Sequence, residues 1–276
     1  MHRLAALSLM FGLASHASGV GINADTALAP GKGQYIHRAQ LRYLRSTGTP
    51  SPIDLDLSLL ASPQVLVYGV EEDLSLFGVV PFLRREGTLR SPGAPGASVD
   101  LDETGVADLT FFAKKRIFRE DEPGRTRRTG LLGGLEIPSG DPDFSSDSLD
   151  PFLGLVHSRH GLEDGLDLDA VWKFNTGSGI RRHDELRYDA AYSRTLILDP
   201  GREVSRPWQL NGLLELNGSY LTDGSHLLFI SPGLQLALTD LILETSFQVP
   251  LVRDLVNGNR IRDELGNYLT TGFRNA

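Results

Sequence analysis

The sequence predicts an all-β fold: a single antiparallel up-and-down transmembrane β-barrel of about 12 strands, behind a cleaved export leader. Three observations predict it. The first is strict alternation, clearest in Leu166–Asn175. Leu166, Leu168, Ala170, Trp172 and Phe174 share one parity, and Asp167, Asp169, Val171, Lys173 and Asn175 share the other. Successive strand residues point to opposite faces, so this segment has an apolar face and a largely charged one. Wound as a helix, its carboxylates and lysine would scatter around the axis. At about 3.3 Å per residue and a tilt of about 45°, it spans roughly 23 Å, close to the apolar band of an outer-membrane barrel.

The second observation is the length of the connections. Those after odd-numbered strands run roughly 18, 18, 11, 8, 4 and 15 residues, and those after even-numbered strands about 2 to 8. Long extracellular loops alternating with short periplasmic turns, around an even number of strands, are what the outer-membrane architecture demands. A soluble sandwich has no reason to alternate in this way.

The third is the start of the chain. Met1-His2-Arg3 is a short basic region, Leu4 to Ala14 is apolar, and Ser15-His16-Ala17-Ser18 offers a small-x-small cleavage site. Residues 1–17 read as a signal peptide, too short to span a bilayer as a helix. No later stretch approaches ~18 uninterrupted apolar residues, which excludes a helical membrane protein. Loss of residues 1–17 removes Arg3 and moves the formal net charge from −8 to −9. That charge, without any basic stripe, argues against nucleic acid. There are no cysteines, so the exported chain depends on its own hydrogen bonding and packing.

In order along the chain, residues 18–33 are small and polar and read as a loose lead-in to a barrel over 34–276. Gln34–Arg45 alternates, with Tyr35 and Tyr43 on one face in the places of two aromatic girdles. Residues 46–63, rich in Pro, Ser and Asp, read as a long loop. The hairpin Gln64–Val70 and Leu74–Arg84 turns at Glu71-Glu72-Asp73 and is apolar on both faces. A second loop, 86–103, precedes Gly105–Phe118, where Lys115 interrupts the apolar face as a residue near the rim would. Strands follow at Arg125–Pro138, Asp150–Ser158 and Leu166–Asn175, then at Asp184–Leu198 and Pro207–Tyr220. The last are Ser225–Leu238, Leu241–Val252 and Tyr268–Arg274.

The inward parity collects Arg38, Gln40, Arg42, Lys114, Arg116, Asp167, Asp169, Lys173, Glu185, Arg187, Asp189, Glu215 and Glu244. Both signs on successive strands would pair across a polar lumen, since unpaired buried charge is costly. They are read as lumen-facing residues that pack the bore or bias which solutes pass. No catalytic, cofactor-binding or metal-binding residues are assigned. The loop 139–150 carries Asp141, Asp143, Asp147 and Asp150 without EF-hand spacing, so it reads as a solvated acidic loop. His157 and His160 point in opposite directions on a strand, a poor metal pair. Gly130, Gly133 and Gly134 open no helix and make no dinucleotide fingerprint. No Gly-x-Ser-x-Gly or phosphate loop occurs, and nothing in the sequence joins His37 to Ser193 for hydrolysis.

Several blocks resemble one family. They are Pro30–Gln34, Val67–Pro81, Gly105–Leu109 and Leu132–Asp141; Trp172–Asn175 with Asp184–Asp189; and Ser231–Gln235. In order, they are similar to the family named for the meta-pathway of phenol degradation. The resemblance implies a Gram-negative outer-membrane β-barrel tied by name to uptake of aromatic or hydrophobic compounds, with no catalytic or binding residues to carry over. One departure is the chain end: Phe273 is followed by Arg274-Asn275-Ala276, where outer-membrane barrels finish on an aromatic residue.

The expectation is therefore a non-enzymatic channel of the Gram-negative outer membrane for passive uptake of small aromatic or hydrophobic solutes. It implies no cofactor. Its partners would be outer-membrane lipid, the solute, and the export and barrel-assembly machinery. The alternatives are a structural barrel with a plugged lumen and an outer-membrane lipid-modifying enzyme.

Overall fold

The computed structural model describes residues 3–13, 21–48, 54–90, 98–177, 183–199, 207–238 and 241–254. Thirteen strands are formed among them and no helix. They are β1 (Arg3–Leu13), β2 (Tyr35–Gly48), β3 (Asp54–Glu71), β4 (Leu74–Arg90), β5 (Ser98–Val106) and β6 (Leu109–Glu122). The series continues with β7 (Arg125–Ile137), β8 (Asp150–His160), β9 (Asp164–Lys173) and β10 (Glu185–Asp199). It ends with β11 (Trp208–Leu221), β12 (His226–Ala237) and β13 (Ile242–Asp254).

Every pairing is antiparallel, and each strand from β6 to β13 pairs with its sequence neighbour. β13 pairs with β1, β1 with β2, β2 with β3, β3 with β4, and β4 with β6. The sheet thus closes on itself through twelve strands. Closure leaves none of those twelve with a free edge, which a barrel in lipid requires. β5 lies outside the ring. It pairs with the outer half of β4, Phe82–Arg90, while the inner half, Leu74–Val79, pairs with β6.

Two features differ from the sequence expectation. The supposed loops 46–63 and 86–103 are largely strand, because β3 and β4 extend to 18 and 17 residues and run as a ribbon past the wall. Asp54-Leu55-Asp56-Leu57 carries the same alternation as Leu166–Asn175, and its flanking prolines hide it. The stretch expected as one strand, Gly105–Phe118, is divided at Ala107-Asp108. There the Asp108 carboxylate accepts from Gly140 N (3.0 Å), Ser145 Oγ (2.8 Å) and Ser146 N (2.6 Å), pinning the loop 138–149 over the break. The twelfth place in the ring is held by β1, whose residues fall within the expected leader. The expected strand Tyr268–Arg274 lies outside the described residues.

Alternation sets inside and outside. On β9, Asp167, Asp169, Val171 and Lys173 are buried, while Leu168 and Ala170 are exposed. Round the ring, Leu41, Leu66, Leu76, Phe111, Leu131, Leu155, Leu214 and Phe247 are each 40–52% exposed. A one-residue slip would move every such side chain to the other face, so the burial pattern fixes the register. Where alternation fails, the ladder is irregular. Shifts between Arg116 and Phe118, and between Thr195 and Ile197, coincide with consecutive exposed residues Ile117-Phe118 and Leu196-Ile197-Leu198. Tight turns at Glu72-Asp73 and Pro123-Gly124 close one end, with Gly124 at φ 76°, where glycine is favoured. The loop 138–149 lies at the other end, held to Asp108.

Candidate functional site

The bore has two unlike walls. Along β3 to β9 the inward positions include Val65, Val67, Phe77, Val79, Phe112 and Phe152. With Leu132, Val156, Val171 and Ala27 they form one buried apolar cluster. Phe77 and Phe112 stack at 4.3 Å and 10°, and Phe152 meets Phe112 edge-on at 5.9 Å. On β9 through β13 and on β2 the inward positions are mostly polar.

The structure places the thirteen residues read as lumen-facing as follows. Gln40, Arg42, Lys114, Asp167, Asp169, Lys173, Glu185, Arg187, Asp189, Glu215 and Glu244 are buried inside the ring. Arg38 is half-buried and reaches Glu244 at 3.2 Å. Arg116 sits at the tight-turn end, where its guanidinium donates to the Glu72 carbonyl at 2.6 Å. Most of the buried charges are in networks. Lys173 Nζ lies 2.6 Å from Glu136 and 3.5 Å from Asp150. Gln235 donates to Glu244 at 2.5 Å and accepts from Asn211 at 2.8 Å. Asn217 donates to Asp189 at 3.0 Å, Ser219 to Glu185 at 2.8 Å, and Arg42 to Gln40 at 2.9 Å. Arg187 Nε approaches Asp189 only to 3.6 Å.

Between the walls runs the N-terminal segment, and this corrects the reading of a loose lead-in. Residues 21–31 thread the bore, with Ile22 and Asn23 wholly buried. Backbone amides that no strand satisfies need other acceptors, and inward side chains supply them. Glu215 accepts from the amides of Ile22 and Asn23 (the latter at 2.9 Å) and from Asn23 Nδ2 at 2.7 Å. Asp167 accepts from Gly21 N at 3.2 Å and Asp169 from Asp25 N at 2.7 Å. Ser158 Oγ accepts from Ala27 N at 2.8 Å. Lys114 Nζ binds Asp25 Oδ1 at 2.6 Å and the Thr26 carbonyl at 2.7 Å. Arg38 donates to the Ile22 carbonyl at 3.0 Å.

Two glycines make room. A Cβ on Gly69 would come within 2.2 Å of the Gly31 carbonyl oxygen, and one on Gly233 within 2.8 Å of Ile22. The fit is not complete: Asn23 Oδ1, Asp169 Oδ1, Asp189 Oδ2, and Nε and Nη1 of Arg187 are buried without a hydrogen-bond partner.

Other sequence candidates are dispersed. His157 is paired with Thr129 at 2.9 Å while His160 turns inward to Asp167 at 3.0 Å. His37 is exposed on the outer face and Ser193 is buried on the inner one, so the wall itself separates them. No group of three metal-ligating side chains occurs among the described residues. Lys115, the break in the apolar face, pairs at the turn with Asp73 at 2.8 Å. Sequence reasoning missed Glu136, Asp150, Ser158 and Gln235 as members of the inner networks. Their parity was the available signal.

No protein-family model matches the chain, and no curated protein matches it. The family resemblance therefore rests on the residues quoted for it. Two solved structures are similar in outline. An outer-membrane channel from Pseudomonas putida is 16% identical, over 89% of this chain and 94% of that one, with a TM-score of 0.39. A FadL homologue from Pseudomonas aeruginosa is 10% identical, over 90% and 88%, with a TM-score of 0.35. Likeness at that level carries no residue-by-residue argument. The architecture rests on this chain's own strand pairing.

Proposed function

We propose that the protein is a Gram-negative outer-membrane channel for passive uptake of small aromatic or hydrophobic solutes. The observation that carries the reading is the closed ring of strands with an exposed apolar outer face and an inner face of opposite character. A soluble protein rarely exposes a contiguous apolar surface of this extent, and lipid is the medium that covers one. The apolar wall inside gives an uncharged solute a surface to follow. Planar-bilayer recording and liposome uptake of a small arene test the proposal. A refolded barrel that conducts no ions and admits no arene sinks it.

One observation favours a second reading, a structural barrel with a blocked bore: residues 21–27 fill the lumen and are hydrogen-bonded on several sides. The two readings separate on a chain lacking residues 18–31. A channel whose segment moves aside admits solute with and without that segment, whereas a structural barrel admits it only when the segment is deleted.

Export belongs to the same proposal. Removal of a leader at residues 1–17 takes β1 out of the ring. A strand at Tyr268–Arg274 would follow β13 from its Asp254 end and so run in the direction of β1, antiparallel to both β13 and β2. N-terminal sequencing of the outer-membrane fraction checks this. A start at Ser18 in a heat-modifiable barrel agrees with it, and a start at Met1 contradicts it.

A further inference from the structure

Lys114 is a buried cation on β6 in the apolar wall, and the N-terminal segment is what satisfies it. Its side chain is 3% exposed. The ammonium sits 4.7 Å from the centroid of the Phe77 ring, and its oxygen partners are Asp25 Oδ1 and the Thr26 carbonyl. One residue further on, Ala27 packs into the cluster that holds the stacked Phe77 and Phe112 rings. Asp25 to Ala27 thus presents a carboxylate to a buried ammonium and a small apolar group to an aromatic stack.

We propose that Asp25-Thr26-Ala27 occupies the binding site of an anionic aromatic solute, an arene carboxylate, and that such a solute competes with this segment for Lys114. The inference rests on the channel reading and narrows its substrate class. The physical reason is that a buried ammonium cannot be left without an anion. A neutral arene that pushed the segment aside would strand Lys114. An arene carboxylate replaces both of the groups it displaces, its carboxylate on Nζ and its ring against Phe77 and Phe112, where stacked or edge-on contact is favourable. Solute binding and movement of the segment are then one equilibrium, because the two claim the same partners.

The test uses the full chain in liposomes with ring-labelled benzoate in equilibrium dialysis, alongside benzyl alcohol, benzylamine and octanoate. Saturable binding of benzoate ahead of the other three is expected, together with faster amide exchange at residues 25–27 as benzoate is added. Lys114→Met should weaken benzoate by about tenfold or more, while Lys114→Arg retains it. Asp25→Asn, which weakens the internal competitor, should tighten it. Equal binding of benzoate and benzyl alcohol, tighter binding of octanoate, or an unchanged affinity in a folded Lys114→Met barrel would each overturn the proposal. If neutral arenes still cross while benzoate shows no preference, this inference fails and the channel reading stands.

Discussion

The two walls of the bore reach burial by different means. The wall from β3 to β9 is completed mostly by contact: the side chains of Val65, Phe77, Phe112, Phe152 and Val156 carry no polar atom, although the buried Ser75 Oγ beside them has no hydrogen-bond partner. The wall from β9 round to β2 is completed by pairing, and not fully. Glu244, Gln235 and Asn211 form a connected chain, yet Arg187 and Asp189, an ion pair at 3.6 Å, retain buried atoms with no hydrogen-bond partner. Each such atom carries a desolvation cost of about 1–3 kcal/mol. The N-terminal segment is clasped from both sides: Asp167, Asp169 and Glu215 accept from its amides, while Lys114 and Ser158 on the other side hold Asp25, Thr26 and Ala27. The difference teaches that a lumen can anchor a segment through a row of carboxylates on one side and through an ammonium and a hydroxyl set into an apolar surface on the other.

The comparison can be broken at either wall. The largest effect belongs to the apolar side. Phe112→Ala, which opens the stack with Phe77 and Phe152, should lower unfolding stability by about 3–5 kcal/mol in a urea titration of the folded barrel. Asn217→Ala on the polar side, which takes a hydrogen-bond partner from Asp189 and from Ser231, should cost about 1–3 kcal/mol. If the two losses were equal, the walls would not differ in how they are built. Next comes the outer face: Ala170→Arg should impair assembly by about 2–4 kcal/mol if it lies near the midplane. Normal yield of this variant, with loss of the corresponding Asp169→Arg, would mean the inside and outside are exchanged.

The clasp itself is smaller and local. Glu215→Ala removes the acceptor of three donors on Ile22 and Asn23 and should act on the segment rather than on the ring. Amide exchange at residues 22 and 23 should speed up while the strands stay protected. Uniform loss of protection would show that the segment and the ring unfold together. The smallest effect is expected at the rim. The hydrogen bond from Lys115 holds the Asp73 carboxyl below its ordinary range. A depressed folded-state value stabilises above the unfolded pKa, and that contribution is lost as pH falls through the folded one. Asp73 and Lys115 are both partly exposed at the turn, so solvent screens the pair. Asp73→Asn should lower the urea midpoint at pH 7 only slightly, and the difference from the parent should vanish as pH falls through the folded-state value of Asp73.

Much of this architecture was legible in the sequence because alternation is a local signal. Leu166–Lys173 announces its own faces, and the tight turn at Asp223-Gly224 announces itself by composition. What stayed hidden is non-local. Ile22 and Asn23 show no periodicity, and their acceptor Glu215 lies almost two hundred residues away. No reading of 18–33 alone could tell a threaded segment from a loose one. The ribbon at 54–60 was hidden for a different reason: Pro52 and Pro63 look like loop punctuation, and the alternation between them is short. In the candidate site, Lys114 was legible as inward-facing, but its placement over Phe77 depends on how β4 and β6 are registered.

The most direct test of the account scans β9 with nitroxide spin labels at positions 166 to 173 in liposomes and measures collision with oxygen, which concentrates in lipid. The account predicts high accessibility at 166, 168, 170 and 172 and low accessibility at 167, 169, 171 and 173. The reverse parity, or no alternation at all, would contradict it.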